Sequence, residues 1–126
     1  MKYTIEVDHK LKIIKYKHSG IIQSEEIGYV WENEFLKMKE FTELKYNLFS
    51  DYTDAVLDIP VDFLDELMSF MQSIQVIVEG KKQSVVVSDP YSTAASILFE
   101  NEVNKKVGFH VKVFTTTKAA LKWLII

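Results

Sequence analysis

Three segments of the chain gather side chains able to bind or react: Asp51-Tyr52-Thr53-Asp54, Ser88-Asp89-Pro90-Tyr91-Ser92 and Thr115-Thr116-Thr117. Asp51 and Asp54 have the spacing of a paired-carboxylate acid/base or of part of a hard-cation site, although such a cation takes about six oxygen ligands or more. Ser88, Tyr91, Ser92, Thr115 and Thr116 offer hydroxyls. Asp89 and the threonines stand where helices begin, so free backbone N–H groups would face the same side and suit an anion or a hydroxyl compound. The candidate ligand-binding set is therefore Asp51, Tyr52, Thr53, Asp54, Ser88, Asp89, Tyr91, Ser92, Thr115 and Thr116. Against it stands a plainer role: these residue types also cap helices and close turns, and capping alone accounts for Asp89 and the threonines.

Other chemistries find less support. His9, His18 and His110 are dispersed, with no His-x-x-x-His pair, and no Ser lies in a Gly-x-Ser-x-Gly elbow. With no cysteine among 126 residues, a disulfide framework, thiolate zinc or iron–sulfur sites and a catalytic thiol are excluded. Gly80-Lys81-Lys82 is no phosphate loop, because it precedes a strand where such a loop would open a helix. Lys10, Lys12, Lys15 and Lys17 form a basic strip that reads as a guard on an outer strand. A net charge of -3 argues against a nucleic-acid binder acting through bulk positive charge. No metal or organic cofactor is implied, and the expectation is a domain that binds without catalysing.

Those segments need a scaffold, and 126 residues at 48% hydrophobic suffice for one domain and one core. No apolar run approaches the roughly 20 residues of a membrane span, and the N-terminus has no signal-peptide core, so a cytoplasmic protein is expected. Tyr3, Ile5 and Val7 alternate with polar residues as a strand. Asp8-His9-Lys10 turns into a second strand, Leu11 to His18, and a link so short makes the pair an antiparallel hairpin. Ser24 heads a helix with Ile27, Trp31, Phe35 and Met38 on one side, and Tyr46 to Ser50 is a strand. A helix follows Pro60 along Phe63 or Leu64, Leu67 or Met68, Met71 and Ile74, stopping at Gly80. Lys82 to Ser88, with Val85-Val86-Val87, is a strand buried on both faces. Asp89-Pro90 opens a helix running towards Gly108, His110 to Phe114 is the last strand, and a final helix carries Ala120, Trp123 and Leu124. The order ββαβαβαβα calls for an α/β domain over 1–126 with a mixed, mostly parallel sheet and an N-terminal hairpin.

That order, the loop Tyr46-Asn47-Leu48-Phe49-Ser50-Asp51-Tyr52-Thr53-Asp54, Val85-Val86-Val87-Ser88-Asp89-Pro90 and the close Val111-Lys112-Val113-Phe114-Thr115-Thr116-Thr117 to Trp123-Leu124 resemble the STAS, or SpoIIAA-like, domains. The resemblance extends to uncharacterised relatives that look like the CRAL-TRIO lipid carriers. It implies the SpoIIAA-like fold and a regulatory or protein-interaction role. One departure bears on function. Anti-sigma-factor antagonists carry a phosphorylatable Ser at the start of the helix after the third strand, whereas Val56-Leu57-Asp58-Ile59-Pro60-Val61-Asp62-Phe63 here has no Ser or Thr.

Large apolar side chains exceed what one small core obviously needs. Phe70 and Phe99 lie beside the stripes of their helices, and the chain ends Leu124-Ile125-Ile126. A flat exposed patch would favour a protein partner, most simply a homodimer. A continuous cavity would favour the alternative reading, a CRAL-TRIO-like binder of a small apolar or lipid-like anionic ligand.

Overall fold

A computed structural model describes residues 2–126. Strands β1 (Lys2–Asp8) and β2 (Ile13–Gln23) form the expected antiparallel hairpin, with Ile5 opposite Tyr16. There follow α1 (Ser24–Asn33), α2 (Lys39–Thr42), β3 (Asn47–Asp51), β4 (Ala55–Asp58), α3 (Phe63–Ser73), α4 (Gln75–Val78), β5 (Lys82–Val86), α5 (Pro90–Lys106), β6 (His110–Phe114) and α6 (Thr117–Leu124). The sheet runs β1-β2-β3-β5-β6, and every pair after the hairpin is parallel. The mixed, mostly parallel α/β architecture read from the sequence is the one observed.

Several details differ from the sequence reading. The helix expected from Pro60 to Gly80 breaks at Ile74 into α3 and α4. Strand β2 does not stop at His18. It passes through Gly20, whose φ of 90° an L side chain rarely adopts, and continues to Gln23. That extension pairs in parallel with β4, a short strand unforeseen between the Asp51–Asp54 loop and α3. The first helix ends at Asn33 rather than reaching Met38, and a 3₁₀ turn at Phe35–Lys37 swings the chain so that both Phe35 and Phe41 enter the core. At the start of α1 the N-cap is Gln23 rather than Ser24, because the Gln23 side chain and Glu26 form a reciprocal capping box, whereas Asp89 and Thr116 cap as expected. Asp89 accepts the Ser92 N–H at 2.9 Å with Pro90 behind it, and Thr116 accepts the Ala119 N–H at 3.2 Å.

Strand order increases steadily across the parallel part of the sheet, so crossovers of one hand place α1, α3 and α5 on a single face. There they bury Ile14, Tyr16, Leu48, Val85 and Val111 beneath Trp31, Phe63, Met71 and Val103. Trp31 meets Phe35 edge to face at 5.0 Å, and Tyr16 meets Phe35 at 5.3 Å, a geometry contributing about 0.5–1.5 kcal/mol per pair beyond area burial. The opposite face holds a smaller cluster, Ile13, Phe49 and Val86, under Ala120 and Leu124 of α6. Val85 and Val86 thus serve different cores, which is why β5 reads as a continuous β-branched run. Phe70 and Phe99 are half-buried against the larger core and Leu124 is buried in the smaller, while Ile125 and Ile126 are exposed.

Candidate functional site

The loops after β3 and β5 do approach one another, yet most of their polar groups are engaged internally, although the buried Asp89 Oδ1 has no hydrogen-bond partner. Asp51 Oδ1 accepts both the backbone N–H and the hydroxyl of Thr53, at 2.9 and 2.7 Å. The Ser88 hydroxyl donates to the Thr53 carbonyl at 3.0 Å, and Asp54 is paired with Lys17 at 3.0 Å. Ser92 is fully buried, and its Oγ accepts the Leu57 N–H at 2.9 Å, holding β4 against the start of α5. The Tyr91 hydroxyl donates to the Ile59 carbonyl at 2.5 Å. Burial pushes the Asp89 carboxyl up, but hydrogen bonds from Ser92 and from backbone N–H groups of the first turn outweigh it and hold the group below the usual carboxylate range. Thr115 is exposed, Thr116 caps α6, and neither bonds to the Asp51–Asp54 loop among the described residues. No group of three or more acids and histidines among the described residues is arranged to hold a metal ion.

Tyr52 parts from its neighbours in that loop. It turns inward, packs edge to face on Tyr16 at 5.7 Å, and burial pushes its phenol up to about 12. There it joins polar side chains that β2 and β5 direct beneath the three helices. His18 is fully buried, its Nδ1 2.5 Å from the Tyr16 hydroxyl and its Nε2 3.6 Å from Glu26. Burial lowers the His18 pKa and Glu26 opposes the shift, so the imidazole is held neutral below its ordinary value. Glu26 also accepts the Gln23 N–H at 2.7 Å, fixing the start of α1. Gln83 donates to Ser50 at 2.9 Å, but its Oε1 is buried and has no partner.

Gln83 stands on the wall of a partly open cavity of about 50 Å³ between α1, α3, α5 and β5, otherwise lined by Trp31, Leu57, Ile59, Leu67, Val85 and Phe99, with Tyr52 and Ser96 as its other polar walls. Leu64 and Phe99 separate it from an outer groove between α3 and α5 of about 210 Å³, and Leu64 borders a further apolar niche of about 80 Å³ under Tyr91 and Leu98. The inner cavity admits a few waters, since one water needs roughly 10–15 Å³. The residue types mark the loops, whereas the signal for this cleft is a glutamine inside a valine-rich strand.

The fold has a solved counterpart. The chain superposes, at a TM-score of 0.61 and 11% identity, on an uncharacterised protein of the DUF3478 family with a SpoIIAA-like fold from Shewanella loihica PV-4, covering 97% of this chain and 93% of that one. The chain therefore has a SpoIIAA-like fold. No family model matches it, and no curated protein does. Among the described residues, no helix is long and apolar enough to cross a membrane.

Proposed function

We propose that this chain is a non-enzymatic binding domain whose α3–α5 cleft takes a small, mostly apolar molecule presenting one hydrogen-bond donor. The observation that carries the reading is the Gln83 Oε1, buried and unpaired on the wall of an otherwise apolar cavity. A buried acceptor needs a donor, and a ligand O–H or N–H would supply one in place of the water the cavity can admit. Ligand pockets usually measure about 300–1,000 Å³. Half-buried Leu64, Leu67 and Phe99 must therefore shift to join the inner cavity to the groove, and the ligand is small by that standard.

The test uses medium-chain alkanols and their methyl ethers as probes, read by the emission of Trp31 in a Trp123→Phe background. Alkanols should bind, and Gln83→Leu should weaken them by about 3–10-fold while leaving the ethers unaffected, the worth of one neutral hydrogen bond. Trp31 emission unmoved by any probe, together with no small molecule retained in native mass spectrometry, would sink the reading. A second reading, a regulatory protein-interaction module, is favoured by the rim of the same groove. Val61, Tyr91 and Leu98 are 67%, 48% and 51% exposed there. The segment Val56 to Phe63 has no hydroxyl, so neither reading includes phosphorylation at that position.

A further inference from the structure

The two edges of the sheet are finished differently. On β6, Glu100 accepts the Val113 N–H at 2.7 Å and Asn104 donates to the Val111 carbonyl at 2.9 Å, so α5 occupies that strand's outward backbone groups. On β1, no side chain among the described residues is hydrogen-bonded to the backbone from Tyr3 to Val7. The lysines that read as an edge guard do not protect it, because Lys15 and Lys17 sit on β2, which is paired on both sides. A bare strand of 7 residues is a template for another strand.

Its sequence specifies which one. Lys2-Tyr3-Thr4-Ile5-Glu6-Val7-Asp8 is self-complementary about Ile5 when read antiparallel. We propose that β1 pairs with β1 of a second copy across a twofold axis at Ile5, joining the two six-stranded sheets into one. In this register Lys2 faces the partner's Asp8, Thr4 faces the partner's Glu6, and Tyr3 faces the partner's Val7. Moving the axis to Glu6 would set like charges opposite one another. Moving it to Thr4 would shorten the overlap and leave Asp8 unmatched. Tyr3, Ile5 and Val7 are half-buried at the margin of the larger core, and the partner's β1 would cover them further. The pairing consumes the bare edge of β1, and with β6 occupied by α5 the assembly closes at two copies. It is independent of the cleft.

The chain has no cysteine, so single cysteines report the register cleanly. Sedimentation at tens of micromolar should show a dimer. Ile5→Cys should cross-link under mild oxidation, because directly opposed Cβ atoms lie within about 4.5–5.5 Å, while Thr4→Cys and Leu98→Cys should not. Lys2→Glu, which sets two carboxylates face to face twice across the axis, should weaken the dimer by about tenfold. A monomer throughout that range overturns the proposal. So does a dimer that cross-links through Leu98→Cys, which would place assembly on the α3–α5 groove, or one that cross-links at Thr4→Cys in place of Ile5→Cys.

Discussion

The loops after β3 and β5 and the cleft under α1, α3 and α5 both collect polar side chains, and each leaves a buried oxygen unpaired. These are Asp89 Oδ1 in the loops and Gln83 Oε1 in the cleft, but of the two Gln83 is the one that lines the cavity. In the loops, Asp51, Asp54, Ser88 and Ser92 each hold another part of the chain. In the cleft, Gln83 keeps one buried lone pair unused beside open volume. Residue type marks where polar chemistry gathers, and partner accounting shows where it is still available. On this view, substitutions in the loops cost stability, and substitutions of the cleft's polar wall cost binding.

The largest effect expected is on the apolar wall of the cleft, where core and site coincide. Trp31 is buried and meets Phe35, Phe41, Phe70 and Phe109 edge to face. Trp31→Ala should cost about 3–5 kcal/mol in denaturant unfolding, through lost transfer energy plus the cavity left behind. A cost under about 1 kcal/mol would mean that the helices above the sheet collapse onto the space, and the comparison between a rigid cleft and engaged loops would fail.

Ser92→Ala comes next. It strands the buried Leu57 N–H and should cost about 1–3 kcal/mol, releasing β4 from α5. Gln83→Leu at the other pole should stay within about 1 kcal/mol of the parent, because the bond lost to Ser50 is offset by removal of an acceptor that had no partner. If Gln83→Leu proved the more damaging of the two in the same urea titration, the distinction between engaged and available groups would be wrong. Asp89→Ala should fall between them at about 1 kcal/mol, the usual worth of a helix cap, without affecting alkanol binding.

The sequence disclosed the scaffold well where local signals and global fold agree. Alternation in Tyr3-Ile5-Val7, the Asp89-Pro90 start and the triple valine each have one structural solution, and they determine the hairpin, α5 and the two-sided strand. Strand β4 is hidden in the sequence because Ala55-Val56-Leu57-Asp58 is too short to show a period, and its partner is the stretch of β2 beyond Gly20, a residue that reads as a strand end. The cleft was hidden for another reason. Whether Gln83 has a partner depends on β3, β5 and three helices meeting in space, and no window along the chain contains that information.

The smallest effect is a slope with pH, and it separates buried His18 from the exposed Asp54 of the loops. His18 ordinarily titrates near 6.5; burial lowers this in the fold and Glu26 partly offsets the shift, so the net effect is a difference of opposing contributions. As pH falls through 6.5, the unfolded chain takes up the His18 proton before the folded chain does. The unfolded state then binds more protons, and stability declines with falling pH while remaining flat, for this group, above neutrality. Unfolding free energies measured between about pH 7 and 5 should show this decline before the carboxylates begin to titrate. His18→Gln, whose amide oxygen can still accept the Tyr16 hydroxyl, should flatten it. Glu26→Gln should steepen it, because it removes the attraction that favours the imidazolium. A wild-type curve already flat over that interval would mean that Glu26 fully offsets burial at His18.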